Sequence, residues 1–236
     1  MSDTNTDRPV HIITGAGSGI GRAIAQRLVE RGPVVLVGRR PEPLRETGTP
    51  LGTEGRDWIA IPADISSSTD RARIIDETLD TLGRIDALVN NAAVGFNNHI
   101  CDMSVEKVAT LIDINLTAPL LLTRLAIPHL IKHHGCVVSI GSVAASDPFP
   151  GLGIYGCTKS GLEGLARAIA AEYPMLRAYT IHPGAVETEM LRSFLSTDDL
   201  PTDQVLLPDD IAQAAEGFIN GQRNEPNGAS VVVAKN

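Results

Sequence analysis

The chain has 236 residues, of which 43% are hydrophobic, and a formal net charge of −8 at pH 7. This length and composition fit one α/β domain with a sizeable buried core. Lys and Arg are scattered along the chain, which argues against a nucleic-acid-binding protein, because such a protein needs clustered cations to follow the phosphates. We therefore expect a small-molecule partner and no nucleic acid.

Cysteine spacing and the N-terminal segment bear on the cellular compartment. Cys101, Cys136 and Cys157 are odd in number and lack C-x-x-C spacing, so we expect reduced thiols rather than a disulfide framework or a zinc site. Residues 1–8 are polar and acidic, and no apolar run approaches the length of a membrane span. These features predict a cytoplasmic protein with no metal and no membrane partner.

Seven short apolar runs alternate with longer segments of helical periodicity. The runs cover residues 10–13, 34–37, 58–61, 87–89, 136–140, 178–181 and 230–234. This alternation predicts an α/β fold, a doubly wound parallel sheet of Rossmann type with helices on both faces, in a single domain over residues 1–236. Such sheets bind ligands at the C-terminal ends of their strands, where we expect the site.

A glycine-rich segment follows the first apolar run. Residues 14–21 read TGAGSGIG, in which Gly15, Gly19 and Gly21 fit G-x-x-x-G-x-G, whereas Ile20 breaks the G-x-G-x-x-G pattern. Glycines permit positive φ and let an anion approach the backbone, while free amides at a helix N-terminus point toward that anion. We interpret the segment as a phosphate-binding loop; taken alone, it also fits an ordinary strand-to-helix connection.

A phenol and an ammonium stand four residues apart in segment 154–173, which has helical periodicity. Tyr155 and Lys159 therefore lie on one face of the predicted helix. A phenol exchanges protons poorly at neutral pH, but an adjacent cation favours the phenolate and lowers the pKa. The pair predicts acid-base chemistry, although by itself it also fits a solvated helix face.

These motifs and others in the same order resemble the classical short-chain dehydrogenase/reductase family over nearly the whole chain. The other motifs are Asp64, Asn90-Asn91-Ala92-Ala93, Asn115, Ser142 and the segment 183–188, which reads PGAVET. Ala93 replaces the final glycine of the family's Asn-Asn-Ala-Gly motif. The resemblance implies a Rossmann-type oxidoreductase that transfers hydride between a nicotinamide and an alcohol or ketone carbon.

The resemblance also implies which residues form the site. The implied catalytic residues are Asn115, Ser142, Tyr155 and Lys159, of which Ser142 and Tyr155 would also bind substrate. The implied cofactor-binding residues are Gly15, Ser18, Gly19, Ile20, Gly21, Arg39, Asp64, Ile65, Asn91, Ala92, Tyr155, Lys159, Pro183, Gly184, Val186 and Thr188.

By the same resemblance, each catalytic residue has a role. Tyr155 would be the general acid in ketone reduction and the base in alcohol oxidation. Lys159 would hold the nicotinamide ribose and lower the tyrosine pKa, while Ser142 would stabilise charge on the substrate oxygen. Asn115 would anchor a water in the proton relay. Taken singly, Ser142 also fits a helix cap and Asn115 a polar residue that bends a helix.

The end of the second predicted strand bears on cofactor choice. Members that prefer NAD place an acidic residue there for the ribose 2′-hydroxyl, whereas this chain has Gly38, Arg39 and Arg40. A 2′-phosphate would meet cations, which predicts NADP(H), with NAD(H) as the alternative, and favours ketone reduction. Two other functions stay open: a catalytically silent NADP(H)-binding regulator and an NAD-dependent alcohol dehydrogenase of the same family.

Substrate, lid and assembly are predicted more coarsely. Segment 187–208 contains a long irregular stretch and predicts a substrate lid. The resemblance predicts a homodimer or homotetramer built on the helices that carry Asn115 and Tyr155. The position of His182 directly before Pro183 predicts that this residue supports the site rather than transfers a proton. A mostly apolar pocket, which favours a hydrophobic ketone, is expected from Val94, Phe96, Ala144, Phe149, Met190, Leu191 and Phe194.

Overall fold

A seven-stranded parallel sheet runs through residues 8–235, the part of the chain that the computed structural model describes. Its order is β3-β2-β1-β4-β5-β6-β7, so the predicted doubly wound α/β fold is confirmed. Residues 1–7, to which the expectation about the N-terminal segment applies, lie outside the described residues. The strands are β1 (His11–Thr14), β2 (Val34–Gly38), β3 (Trp58–Pro62), β4 (Ala87–Asn90), β5 (Cys136–Ile140), β6 (Arg177–Pro183) and β7 (Ser230–Val233).

Helices cover both faces of the sheet. Side chains that alternate along a strand enter different cores: Ile13 packs in one core with Ile24, Leu44 and Ile211. Ile12 packs in the other core with Ile74, Leu122 and Ala166. This two-sided burial is why the strands read as continuous apolar runs. The helices are α1 (Gly19–Leu28), α2 (Pro41–Gly48), α3 (Ser68–Leu82), α4 (Val105–Ile112), α5 (Ala118–Leu130), α6 (Gly153–Glu172), α7 (Glu189–Arg192) and α8 (Pro208–Ile219).

The direction of winding reverses at β1. This strand pairs with β2 on one side and with β4 on the other. The loops after β1 and β4 therefore leave the sheet in opposite directions and open a crevice at its C-terminal edge. Gly15 follows β1, Asn91 follows β4 and Ser142 lies just beyond β5, so residues distant in sequence meet at this edge.

One helical stretch corrects an expectation from the sequence. α4, a π-helical turn (Asp113–Thr117), α5 and a 3₁₀ turn (Ile131–His133) join into one segment, Val105–His133. It is long and apolar enough to cross a membrane by length and composition, so the statement that no run approaches such a length was wrong. Here Leu111, Leu122 and Ala126 are buried in the cores of the domain, as in a core helix.

Candidate active site

The glycine-rich loop has the backbone shape that a phosphate needs. Gly15 and Gly19 have φ of +67° and +50°, in the region where glycine is favoured. α1 begins at Gly19, and Ser18 makes no side-chain cap to its first amides. A Cβ on Gly15 would lie 2.8 Å from the Asn91 Nδ2 atom, so the narrow space is kept open by the absence of a side chain. The loop therefore fits a cofactor pyrophosphate.

Polar side chains hold this loop against β4. Thr14 Oγ1 donates to the Val89 carbonyl at 3.2 Å and accepts from the amides of Asn91 and Ala92, each at 3.0 Å. The Asn91 Nδ2 atom donates to the carbonyls of Thr14 at 2.8 Å and Gly15 at 3.3 Å. The resemblance assigned Asn91 to cofactor binding. In the structure, its side-chain amide holds the loop. The sequence interpretation did not include Thr14 among the site residues, although Thr14 begins the glycine motif.

Two residues assigned to the site lie behind the cavity wall. A Cβ on Gly21 would fall 2.3 Å from the Gly15 carbonyl oxygen, so this glycine allows α1 to pack closely on the loop. Asn115 is fully buried in the π-helical turn. Its Oδ1 accepts from the Val94 amide at 2.9 Å and its Nδ2 donates to the Val94 carbonyl at 2.8 Å. Asn115 therefore fixes the backbone of a cavity-lining residue.

Tyr155 and Lys159 are buried together on α6, with 9% and 3% of their surfaces exposed. The Lys159 Nζ atom lies 5.6 Å from the Tyr155 ring centroid and donates to the Ile140 carbonyl at 2.7 Å. Burial raises the pKa of Tyr155 to about 12, against a hydrogen bond with Ser142 that lowers it. Burial also lowers the pKa of Lys159 to about 8. The expected lowering of the tyrosine pKa was wrong in this structure, because desolvation exceeds the effects that favour the phenolate.

Ser142 lies where β5 ends and a 3₁₀ turn (Val143–Ala145) begins. Its Oγ accepts from the Ala144 amide at 3.2 Å, so the residue is a cap, and it also reaches Tyr155. Its backbone amide and carbonyl lie 3.1 Å and 2.8 Å from the His182 Nδ1 atom. The serine hydroxyl and the phenol thus share one wall of the crevice.

A cavity of about 510 Å³ contains most of the residues assigned to the site. One end is formed by the glycine loop, Arg39, Asp64 and Ile65, and the other by apolar side chains. Phe96 was expected in the lining but packs beneath the Lys107 Nζ atom, 5.3 Å from the ring centroid, and lies outside it. Lining residues that the sequence interpretation did not single out include Pro43, Leu44, Ile114, Leu152, Glu189 and Leu195.

The side chain of Arg39 is exposed at the open edge of this cavity, between Gly38 and Arg40. No ion pair of Arg39 occurs within residues 8–235. Its guanidinium can therefore meet a phosphate without first leaving a carboxylate. On the same side of the cavity, Asp64 Oδ1 accepts from the amide and hydroxyl of Ser66, at 3.0 Å and 2.8 Å.

The segment predicted as a lid contributes Met190, Leu191 and Phe194 to the lining of the cavity. It contains α7, and a parallel bridge between Val186 and Leu206 ties its two ends together. A Cβ on Gly95 would lie 2.5 Å from the Phe194 Cζ atom, so Phe194 packs directly on the loop after β4. Arg192 holds the segment internally, because it pairs with Glu187 and donates to the Leu200 carbonyl at 2.7 Å.

Comparison with known proteins agrees with this geometry. A family model described as short chain dehydrogenase matches residues 9–199. Dehydrogenase/reductase SDR family member 4 of Oryctolagus cuniculus is 34% identical over 189 residues, which are 78% of this chain and 73% of that protein. 11-beta-hydroxysteroid dehydrogenase-like 3 of Arabidopsis thaliana is 35% identical over 192 residues, 79% and 62% of the two chains. The crystal structure of 3-ketoacyl-(acyl-carrier-protein) reductase from Brucella melitensis complexed with NADH has a TM-score of 0.88 at 30% identity and covers 96% of each chain.

Proposed function

This chain belongs to the short-chain dehydrogenase/reductase family of oxidoreductases, which act on CH–OH and C=O groups, and we propose that it is an NADPH-dependent ketone reductase. The reverse reaction would oxidise the corresponding secondary alcohol. The observation that carries this proposal is the position of Tyr155, a buried phenol beside Ser142 in the wall of a cavity that the glycine loop and apolar side chains also line.

Tyr155 has the protonation state that carbonyl reduction requires. With a pKa of about 12, the phenol holds its proton at neutral pH and can donate it to a carbonyl oxygen. The cofactor, when bound, supplies the hydride to the carbonyl carbon. Ser142 would stabilise the charge that builds on the oxygen. Lys159, with a pKa of about 8, is mostly an ammonium at neutral pH and is placed to hold the ribose hydroxyls.

The substrate end supports an apolar ketone. Val94, Ala144, Leu152, Met190 and Phe194 line it, and such side chains offer a sugar or phosphate group few hydrogen-bond partners. Ser142 and Tyr155 are the groups proposed to orient the carbonyl. One structural neighbour is named a 3-ketoacyl reductase, which also supports a ketone as the reacting group.

Arg39 supports NADPH over NADH. The position before it, where a carboxylate would repel a 2′-phosphate, is Gly38. A guanidinium can bind phosphate oxygens through two parallel charge-assisted hydrogen bonds. The neighbour from Brucella melitensis was crystallised with NADH, which keeps NAD(H) as the alternative cofactor for the proposed reaction.

We also propose that residues 187–208 act as a substrate lid within one domain and that the chain forms a homodimer or homotetramer. Val105, Ile112 and Leu120 are exposed apolar side chains on the helical stretch from α4 to α5, which supports self-association through this surface. Light scattering at micromolar protein concentration tests the assembly, and a monomer would contradict it. A cytoplasmic location stays a prediction.

The test of the function is a panel of apolar ketones with NADPH, with cofactor consumption followed at neutral pH. The expected result is turnover of at least one cyclic or long-chain ketone, with a higher kcat/KM for NADPH than for NADH. Tight NADPH binding with no turnover across the panel, in either direction, would instead support the regulatory alternative. A higher kcat/KM with NADH would overturn the cofactor assignment.

A further inference from the structure

His182 is a buried ionisable side chain that the proposed chemistry does not use. It lies at the end of β6, 3% exposed, and does not line the cavity. Its Nε2 atom lies 3.1 Å from the Glu163 Oε1 atom. The contact lacks hydrogen-bond geometry, and Nε2 has no other partner within residues 8–235. The Glu163 carboxylate therefore faces the Nε2 edge of the imidazole ring.

The other ring nitrogen continues the pairing between β5 and β6. The Gly141 amide donates to the Ile181 carbonyl at 2.6 Å, and the next peptide on the β5 side is that of Ser142. The His182 Nδ1 atom lies 3.1 Å from the Ser142 amide and 2.8 Å from its carbonyl oxygen. A neutral ring with its proton on Nε2 accepts from this amide, whereas an imidazolium donates to this carbonyl. Either form bonds the backbone of Ser142.

One stripe of α6 carries the groups that act on this region. Tyr155, Lys159 and Glu163 follow one another at four-residue intervals and so share a helix face. Tyr155 reaches the crevice, Lys159 donates to the Ile140 carbonyl, and Glu163 contacts His182. Arg167, one turn further, lies 3.3 Å from the Glu163 Oε2 atom.

We propose that His182, oriented by Glu163, is a positioning residue that holds the Ser142 backbone so that the serine hydroxyl meets the substrate carbonyl. This inference rests on the proposed function, because it assigns His182 an effect on the same reaction through Ser142. His182 itself contacts neither substrate nor cofactor. Its contribution is geometric, and misplacing a reacting group by about 1 Å can lower the rate by about a hundredfold.

A set of His182 variants separates its two contacts. His182→Asn places an amide near the position of Nδ1 and can still bond Ser142, whereas His182→Gln reaches toward Glu163 and His182→Leu keeps neither contact. We expect His182→Leu to lower kcat by about ten- to hundredfold with little change in the Kd of NADPH, and His182→Asn to restore most of kcat. Equal kcat in the Leu variant and the wild type would overturn the proposal.

A double-mutant cycle with Ser142→Ala tests whether His182 acts through the serine. If it does, His182→Leu lowers kcat in the wild-type background and causes little further loss in the Ser142→Ala background. The same fold-loss in both backgrounds would mean that His182 supports the fold alone, and would overturn the proposal.

A readout without substrate separates this inference from the proposed function. Hydrogen exchange of the Ser142 amide, followed by NMR, should be slow in the wild type and in His182→Asn and at least tenfold faster in His182→Gln, which keeps a polar side chain if His182→Leu fails to fold. Unchanged exchange in His182→Gln would overturn the contact, whatever the outcome of the ketone panel. Absence of ketone turnover in the wild type would count against the proposed function alone.

Discussion

The two ends of the cavity are built in different ways. At the cofactor end, backbone groups approach one another without intervening side chains, and the polar atoms Thr14 Oγ1 and Asn91 Nδ2 hydrogen-bond to the loop. At the substrate end, side chains of the proposed lid segment, Phe194 above all, fill the space beside Gly95. Main-chain geometry leaves little freedom, whereas side chains can repack. The cofactor end should therefore be intolerant of added atoms and the substrate end adaptable.

Tyr155→Phe removes the phenol hydroxyl that the proposed reaction needs and should have the largest effect. The ring keeps its packing but loses its proton, so kcat for ketone reduction should fall by about 10²- to 10⁴-fold. The Kd of NADPH, measured by fluorescence titration, should change less than about twofold, since neither end is reshaped. Near-normal turnover by the Phe variant would exclude Tyr155 as the proton donor.

Gly21→Ala tests the rigidity of the cofactor end. The new Cβ would fall 2.3 Å from the Gly15 carbonyl oxygen and 2.6 Å from the Asn91 Nδ2 atom, so the loop must move. Overpacking of this kind costs about 1–3 kcal/mol of unfolding free energy, and the Kd of NADPH should rise about tenfold or more. Thermal unfolding and fluorescence titration measure the two effects.

Gly164→Ala is the matched control for that substitution. Gly164 lies in α6, and a Cβ there would meet no atom within 4 Å. The unfolding free energy of this variant should rise by about 0.5–1 kcal/mol, because alanine loses less backbone entropy than glycine when a helix forms. If Gly21→Ala behaves like Gly164→Ala, the cofactor end is more adaptable than its geometry indicates.

Arg39→Ala tests the outer part of the cofactor end, which is exposed. Losing the charge-assisted bonds to a 2′-phosphate should weaken NADPH binding by about tenfold or more and leave NADH binding unchanged. The double change Gly38→Asp with Arg39→Ile should reverse the preference, which the ratio of kcat/KM for the two cofactors measures. Equal losses with both cofactors after Arg39→Ala would mean that the arginine has a structural role.

The pH dependence of kcat/KM reports on the buried pair Tyr155 and Lys159. Tyr155 keeps its proton up to about pH 12, but Lys159 loses its charge as the pH rises through about 8. Reduction should therefore be level below pH 8 and decline above it. In Lys159→Ala this decline should disappear at a lower overall rate; a decline that persists would come from another group.

Gly95→Ala should have the smallest effect. Its Cβ would lie 2.5 Å from the Phe194 Cζ atom, the far end of a side chain on the lid. Movement of Phe194 can relieve the clash, so we expect KM for the ketone to rise a few-fold while the unfolding temperature stays within a few degrees. A loss of stability as large as that of Gly21→Ala would contradict the proposed difference between the ends.

Segment 187–208 and the π-helical turn mark the limits of prediction from sequence. Segment 187–208 was expected to contain a long irregular stretch, and in the structure it also contains α7 and the internal contacts of Arg192. Asn115 was interpreted from its motif, but nothing local indicated that its amide would bond both backbone groups of Val94. Such pairings join residues far apart in the chain, and local periodicity carries no information about them.

The sequence by itself determined the features that depend on local pattern. Alternating apolar runs specified the strands, the positive-φ glycines specified the loop, and four-residue spacing placed Tyr155 and Lys159 on one face. Only the tertiary structure decided features that depend on burial and long-range contact. Burial in the folded chain raised the pKa of Tyr155, because the tertiary packing around the phenol removes it from water and disfavours its charged form. The tertiary structure also brought His182 to the backbone of Ser142, because parallel pairing aligns the ends of β5 and β6.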